Sequence, residues 1–309
     1  MYVENIIETE NLTKKYGKTT VVDSVNLKIK KGQIYGLLGK NGAGKTTTMC
    51  MILNLVNKTN GNIWLFGKNP SKSTDSIYKN IGSIIETPGF YHNLTGEENL
   101  RLFSKMTNVY DEKNIESALE MVSLTEHKDK RFNKYSLGMK QRLGIALSLI
   151  KNPEILILDE PINGLDPIGI QEIRSMLKHL ADDYGMTILI SSHILNEIEH
   201  IADTIGIMNE GKLIEEISME NLQNKIQKYV LFEVDDLNLT KDLFNQLDLI
   251  EDKDYKVENN NIKLFSHIDS RGDINRFLIE SGVGVNNVTL VKENLEEYFT
   301  HLIGGDLNA

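Results

Sequence analysis

Gly39-Lys40-Asn41-Gly42-Ala43-Gly44-Lys45-Thr46 fits the pattern G-x-x-x-x-G-K-[ST] at every position. Glycines at this spacing leave no side chain in the way, so successive backbone N–H groups can converge on phosphate oxygens. Lys45 adds an ammonium for the β- and γ-phosphates, Thr46 adds a hydroxyl for Mg²⁺, and Thr47 extends the phosphate-binding run. More than a hundred residues downstream, the apolar run Ile155–Leu158 ends in Asp159-Glu160-Pro161. An acid at Asp159 can hold Mg²⁺ through water. A carboxylate at Glu160 can accept a proton from water as that water attacks the γ-phosphate. These residues predict a nucleotide hydrolase that uses Mg²⁺, and leave open which of the many P-loop folds performs it.

Such chemistry needs a strand before the glycine loop and a helix after it. Gln33–Leu38 is an apolar strand, and a helix is expected from Lys45 to about Val56, with Met49, Ile52, Leu53 and Val56 as its buried stripe. Cys50 falls within that apolar helix face and is expected to be a buried structural thiol. Ile155–Leu158, apolar on both faces, suits a central parallel strand. Residues 4–30 read as short strands around a turn at Tyr16–Lys18, and a further β segment ends near Gly67. Thr95-Gly96-Glu97-Glu98 has the form of a capping box, opening a mostly helical stretch over 95–150. Gln171–Leu180 reads as a helix, Thr187–Ser191 as a strand and Ile194–Ile201 as a helix. Beyond Leu222 the glycine motifs stop, and the order becomes β-α-β-β-α-β-α. Strands fall near 228–234, 253–257, 262–266 and 285–291, and helices near 239–247, 271–281 and 293–303. Asn259-Asn260-Asn261 suits a hairpin turn.

Tyr135-Ser136-Leu137-Gly138-Met139-Lys140-Gln141-Arg142-Leu143-Gly144 narrows the choice among P-loop folds. It resembles the L-S-G-G-Q signature of ABC ATPases and the K-Q-R-L run that follows it. Ser136 and Gly138 would open a helix there and offer a second anion site. The resemblance implies that this site receives the γ-phosphate of ATP held by another copy. It also implies roles for three further residues. Tyr16 would stack on adenine. Asp166, within Asn163-Gly164-Leu165-Asp166-Pro167, would belong to the loop communicating across the dimer. His193, in Ser191-Ser192-His193, would contact the γ-phosphate and orient the catalytic acid. The family usually carries glutamine where Glu86 stands, in the loop that touches Mg²⁺ and attacking water. Glu86 is therefore expected to share catalysis and metal binding, the alternative being a solvent-facing carboxylate. Glu86 with Tyr-Ser-Leu-Gly-Met in the signature, and the segments Glu293–Phe299 and Leu302–Gly305, resemble the bacitracin and lantibiotic self-protection group.

The implied fold is α/β: a P-loop ABC ATPase domain over residues 1–222 with a helical subdomain at about 90–150, plus a small C-terminal α+β accessory domain over 223–309. Forty per cent apolar and 25% charged residues in 309 support a sizeable core. A net charge of −10 argues against nucleic acid as a partner. One cysteine excludes an internal disulfide framework. The first ten residues lack the apolar core of a signal peptide, and no stretch approaches the ~18–20 apolar residues of a membrane span. The resemblance implies as partners membrane permease subunits and a second copy of the chain sharing the ATP, at the cytoplasmic face of the membrane. The expected work is export or membrane removal of an antimicrobial peptide. Other readings are export of another drug or lipid-like substrate, and an ABC ATPase acting on ribosomes or DNA.

Overall fold

A computed structural model describes residues 5–70, 74–85, 89–107, 110–225, 228–258, 260–292 and 298. The chain divides into two units, Met1–Glu220 and Asn221–Ala309.

In chain order the first unit holds β1 (Asn5–Tyr16), β2 (Thr19–Val25), β3 (Lys28–Lys30), β4 (Ile34–Leu38), α1 (Lys45–Ile52), β5 (Asn60–Leu65) and α2 (Thr74–Tyr78). It continues with β6 (Ile81–Ile84), α3 (Gly96–Met106), α4 (Glu112–Met121), α5 (Leu137–Leu149), β7 (Ile155–Leu158), α6 (Pro167–Asp182) and β8 (Thr187–Ser192). It ends in α7 (Leu195–Glu199), β9 (Thr204–Asn209) and β10 (Lys212–Ser218), and α8 (Met219–Lys225) carries the chain onward. One sheet runs β10-β9-β4-β8-β7-β6, parallel except for β10. Every residue of β4, β7 and β8 is buried, the pattern of strands covered on both faces. The second sheet is antiparallel, β2-β1-β3 with β5 also on β1. Helix α1 lies in one core between them: Met49 and Ile52 pack with Leu12, Val22 and Leu65 of the antiparallel sheet and with Leu37, Ile157 and Leu189 of the parallel one. Burial of each such side chain contributes about 1.5–3 kcal/mol.

Several boundaries differ from expectation. Helix α1 stops at Ile52 rather than near Val56, because Asn54 takes a left-handed conformation (φ 58°) and the N–H groups of Leu55 and Val56 both turn back to the Cys50 carbonyl. Leu53 and Val56 still touch the core, and Cys50 is half-buried rather than buried. Helix α6 begins at Pro167, four residues before expectation. The Asp166 carboxylate caps it by accepting from Gly169 N (2.9 Å), and proline suits the first helical position. Helix α7 is shorter than the expected 194–201.

The Thr95 capping box forms in both directions: Glu98 N donates to Thr95 Oγ1 (3.1 Å) and Thr95 N to Glu98 Oε2 (2.8 Å). Thr95→Ala is expected to destabilise the protein by about 1 kcal/mol. For a domain of this size the melting temperature should fall by roughly 2–4 °C, read by thermal denaturation.

The second unit holds β11 (Lys228–Val234), α9 (Leu237–Gln246), β12 (Tyr255–Glu258), β13 (Asn261–Leu264), α10 (Arg271–Glu280) and β14 (Val285–Lys292). Its antiparallel sheet runs β12-β13-β11-β14. Phe232, Ile262 and Leu264 form a core with Phe244 of α9 and Leu278 of α10. Glu258 pairs with Asn261 across β12 and β13, and Asn260, within the stretch expected as a hairpin turn, has φ 64°. The helix expected over 293–303 lies outside the described residues except for Tyr298. Among the described residues no helix is long and apolar enough to cross a membrane.

Candidate functional site

Strands β4, β8 and β7 are consecutive in the parallel sheet, so their carboxyl ends open at one edge. From β4 the chain enters the loop 39–44, from β7 it reaches Asp159 and Glu160, and from β8 it reaches Ser191, Ser192 and His193. Two glycines are required by geometry. A Cβ on Gly39 would come within 2.4 Å of the Met208 carbonyl, and Gly44 has φ 99° with its Cβ position 2.8 Å from the Val21 carbonyl. Lys40 is half-buried, Asn41 and Gly42 are exposed, and Ala43 is buried, so the loop presents its middle to solvent while its base is anchored.

Lys45 is 5% exposed, yet its ammonium reaches along the loop. Nζ donates to the carbonyls of Gly39 (2.7 Å) and Lys40 (3.2 Å) and lies 3.5 Å from Glu160 Oε1. Thr46 Oγ1 donates to Asp159 Oδ2 at 2.7 Å, bringing the hydroxyl and carboxylate expected to share a metal into direct contact. Thr47, half-buried, follows on α1. Glu160 is the hub: Oε2 accepts from Asn163 Nδ2 (3.1 Å) and lies 3.2 Å from His193 Nδ1. Its backbone has φ 46°, a left-handed conformation that a glutamate adopts only where its surroundings hold it there. The hold comes from Glu160 N donating to Ser191 Oγ (2.9 Å), while that hydroxyl donates to Asp159 Oδ1. Neither Ser191 nor Asn163 is singled out as a site residue by sequence alone. Ser191 stands out there only as a neighbour of His193, and its partners are set by which strands are adjacent.

Ser136, Gly138 and Asp166 form a second group. Ser136 caps α5, its Oγ accepting from Met139 N (3.2 Å). The phenol of Tyr135, pushed up to about 12 by burial and then by Asp129, stays protonated and donates to the His127 carbonyl (2.8 Å), fixing the entry to the helix. The N-termini of α5 and α6 meet: a Cβ on Gly138 would lie 3.9 Å from Gly169 Cα, and one on Gly164 would lie 3.7 Å from Leu137 Cδ2. The N-terminus of α5, capped by a neutral hydroxyl, is an end attractive to anions, while that of α6 is already met by the Asp166 carboxylate. Leu137, where the signature resemblance calls for glycine, is exposed and packs toward Gly164. Tyr16, at the tip of the β1–β2 hairpin, is 51% exposed, with the Lys14 ammonium 4.6 Å from its ring centroid. Glu86 lies outside the described residues.

A family model described as ABC transporter matches residues 22–163, a stretch running from β2 through the glycine loop and α5 to the acids after β7. The chain is 50% identical to the bacitracin transport ATP-binding protein BcrA of Enterococcus faecalis, over 99% of this chain and 98% of that protein. It is 47% identical to the lantibiotic transport ATP-binding protein SrtF of Streptococcus pyogenes, over 74% of this chain and 99% of that one. Among solved structures, a dimeric ATP-binding cassette in a post-hydrolysis state bound to ADP and Pi superposes with a TM-score of 0.60. It is 26% identical and covers 69% of this chain and 98% of that one. The chain belongs to the ABC transporter family, as an ATP-binding and ATP-hydrolysing subunit.

Proposed function

We propose that this chain powers export or membrane removal of a bacitracin-type peptide through separate permease subunits, bound to them at the cytoplasmic face of the membrane. The observation that carries this reading is the similarity to the Enterococcus faecalis bacitracin transport protein across 99% of the chain, both units included. The lantibiotic transport protein matches 74% of the chain while being covered over 99% of its own length, which favours the bacitracin-type substrate. In this reading residues 1–222 are the motor domain and 223–309 an accessory domain.

The motor residues divide the work by chemistry. Loop 39–44 and Lys45 bind the phosphates of ATP, and Tyr16 stacks on the adenine. A hydroxyl at Thr46 beside a carboxylate at Asp159 is an all-oxygen donor set that fits Mg²⁺, which prefers few protein ligands and shares itself with phosphates. When bound, Mg²⁺ supplies charge neutralisation between the phosphates. Glu160, held by Ser191, Asn163 and His193, is placed to accept the proton of an attacking water. Ser136 and Gly138, at the start of α5, serve the γ-phosphate bound by a second copy, and Asp166 shapes the loop between the copies. The family resemblance assigns Glu86 a share in metal binding and catalysis, favoured when Mg²⁺ offsets the repulsion between like charges.

Loss of the gene is expected to sensitise cells to bacitracin, with tolerance restored by the wild-type chain. Unchanged growth inhibition by bacitracin in the deletion strain would overturn the substrate class, and sensitivity confined to lantibiotics would reassign it.

A further inference from the structure

Ser192 and Glu197 are both buried, at 2% and 5% exposure, and neither has a part in the chemistry above. A carboxylate so removed from water is costly unless its hydrogen bonds return the loss. Glu197, on α7, accepts from Ser192 Oγ at 2.6 Å. The same hydroxyl accepts from Ile194 N at 2.9 Å, closing a small loop around His193. Without Glu197 the hydroxyl has a poorer acceptor within reach, the Ile194 carbonyl at 3.2 Å. The Ser192 carbonyl in turn accepts from Gly39 N at 3.3 Å, tying this loop to the base of the phosphate-binding loop. A further brace comes from α6, where Arg174 Nη2 donates to the Asn196 carbonyl at 2.6 Å.

We propose that Glu197 is a positioning residue: by orienting the Ser192 hydroxyl it fixes the backbone on both sides of His193 and so holds the imidazole against Glu160. The inference rests on the reading of Glu160 and His193 as turnover residues. It assigns a task to a buried carboxylate to which the proposed chemistry gives none. A side chain of glutamine keeps an acceptor at the same reach, whereas alanine removes it.

The test is a double-variant cycle on the full chain, with kcat and KM for MgATP measured for wild type, Glu197→Ala, His193→Ala and the pair. Glu197→Ala is expected to lower kcat about 10-fold with KM within about twofold, and to add no further loss in the His193→Ala background. Glu197→Gln is expected to recover most of the lost rate. If Glu197→Ala lowers kcat by the same factor in both backgrounds, or leaves it unchanged, the positioning role is wrong. If His193→Ala itself leaves kcat intact, the reading of the site fails instead, a separate outcome of the same cycle. Should Glu197→Ala not fold, Ser192→Ala takes its place in the cycle: a loss of kcat that vanishes in the His193→Ala background supports the role, and an equal loss in both backgrounds, or none, overturns it.

Discussion

Lys45→Ala is expected to weaken nucleotide binding by roughly one to two orders of magnitude and to reduce turnover below detection, while the melting curve stays cooperative. Lys45 has 5% exposure and is held by the Gly39 and Lys40 carbonyls and by Glu160. Its ammonium is therefore already aimed along the loop that receives phosphate, with little left to reorganise. A hydrogen bond to a charged group contributes about 1.5–3 kcal/mol, and each 1.4 kcal/mol is tenfold in affinity. Loss of a pre-aligned charge at the reacting phosphate costs about a further 10²–10³ in rate. The fold should survive, because α1 is fixed by Met49, Met51 and Ile52 in the core rather than by this cation. Removing it also leaves Glu160 without its ion pair, so Glu160 and His193 lose one of the groups that align them. Nucleotide binding by fluorescence titration and phosphate release, measured on the same preparation, check this. Normal phosphate release from a folded Lys45→Ala protein would contradict it.

Glu160→Gln is expected to bind MgATP normally and to hydrolyse it about 10²–10⁴-fold more slowly, the contribution of a positioned general base. The amide preserves the size of the side chain and can still pair with Asn163 and His193, so the left-handed backbone at 160 has no new reason to relax. What it loses is the ability to take a proton. If a second copy shares the γ-phosphate as proposed, long-lived ATP holds the two together, and dimers should accumulate. Size-exclusion chromatography with MgATP should show a larger species for Glu160→Gln than for wild type. A monomeric profile with bound ATP would argue against the shared-nucleotide arrangement.

Much of this site is legible in the sequence because it is written in contiguous stretches. The glycine loop between an apolar strand and a helix, the acids after Ile155–Leu158 and the Ser136 cap each depend on neighbours within a few residues. The structure then brings Thr46 to Asp159 and Glu160 to His193, as their shared strand-end location requires. What the sequence does not reveal depends on sheet order. Ser191 contacts Asp159 and Glu160 because β7 and β8 are neighbours, not because of anything in their local pattern. The Lys45–Glu160 ion pair likewise depends on sheet order, since β4 and β7 flank β8. Helix ends depart from expectation for a different reason. The apolar stripe of α1 continues through Leu53 and Val56, so periodicity runs on where the backbone has already turned at Asn54. At α6 the start is set by the Asp166 cap and Pro167, which outrank the apolar pattern as a starting signal. The buried Ser192–Glu197 pair has no sequence signal beyond two polar residues five apart.

Whether Glu160 drives hydrolysis is decided by the fate of ATP bound to Glu160→Gln. Protein loaded with MgATP is freed of excess nucleotide and held for many wild-type turnover times, and the bound nucleotide is then extracted and separated. ATP should be recovered largely intact from Glu160→Gln and as ADP from wild type. Recovery of ADP from Glu160→Gln at the wild-type rate would contradict the assignment of hydrolysis to the carboxylate at the end of β7.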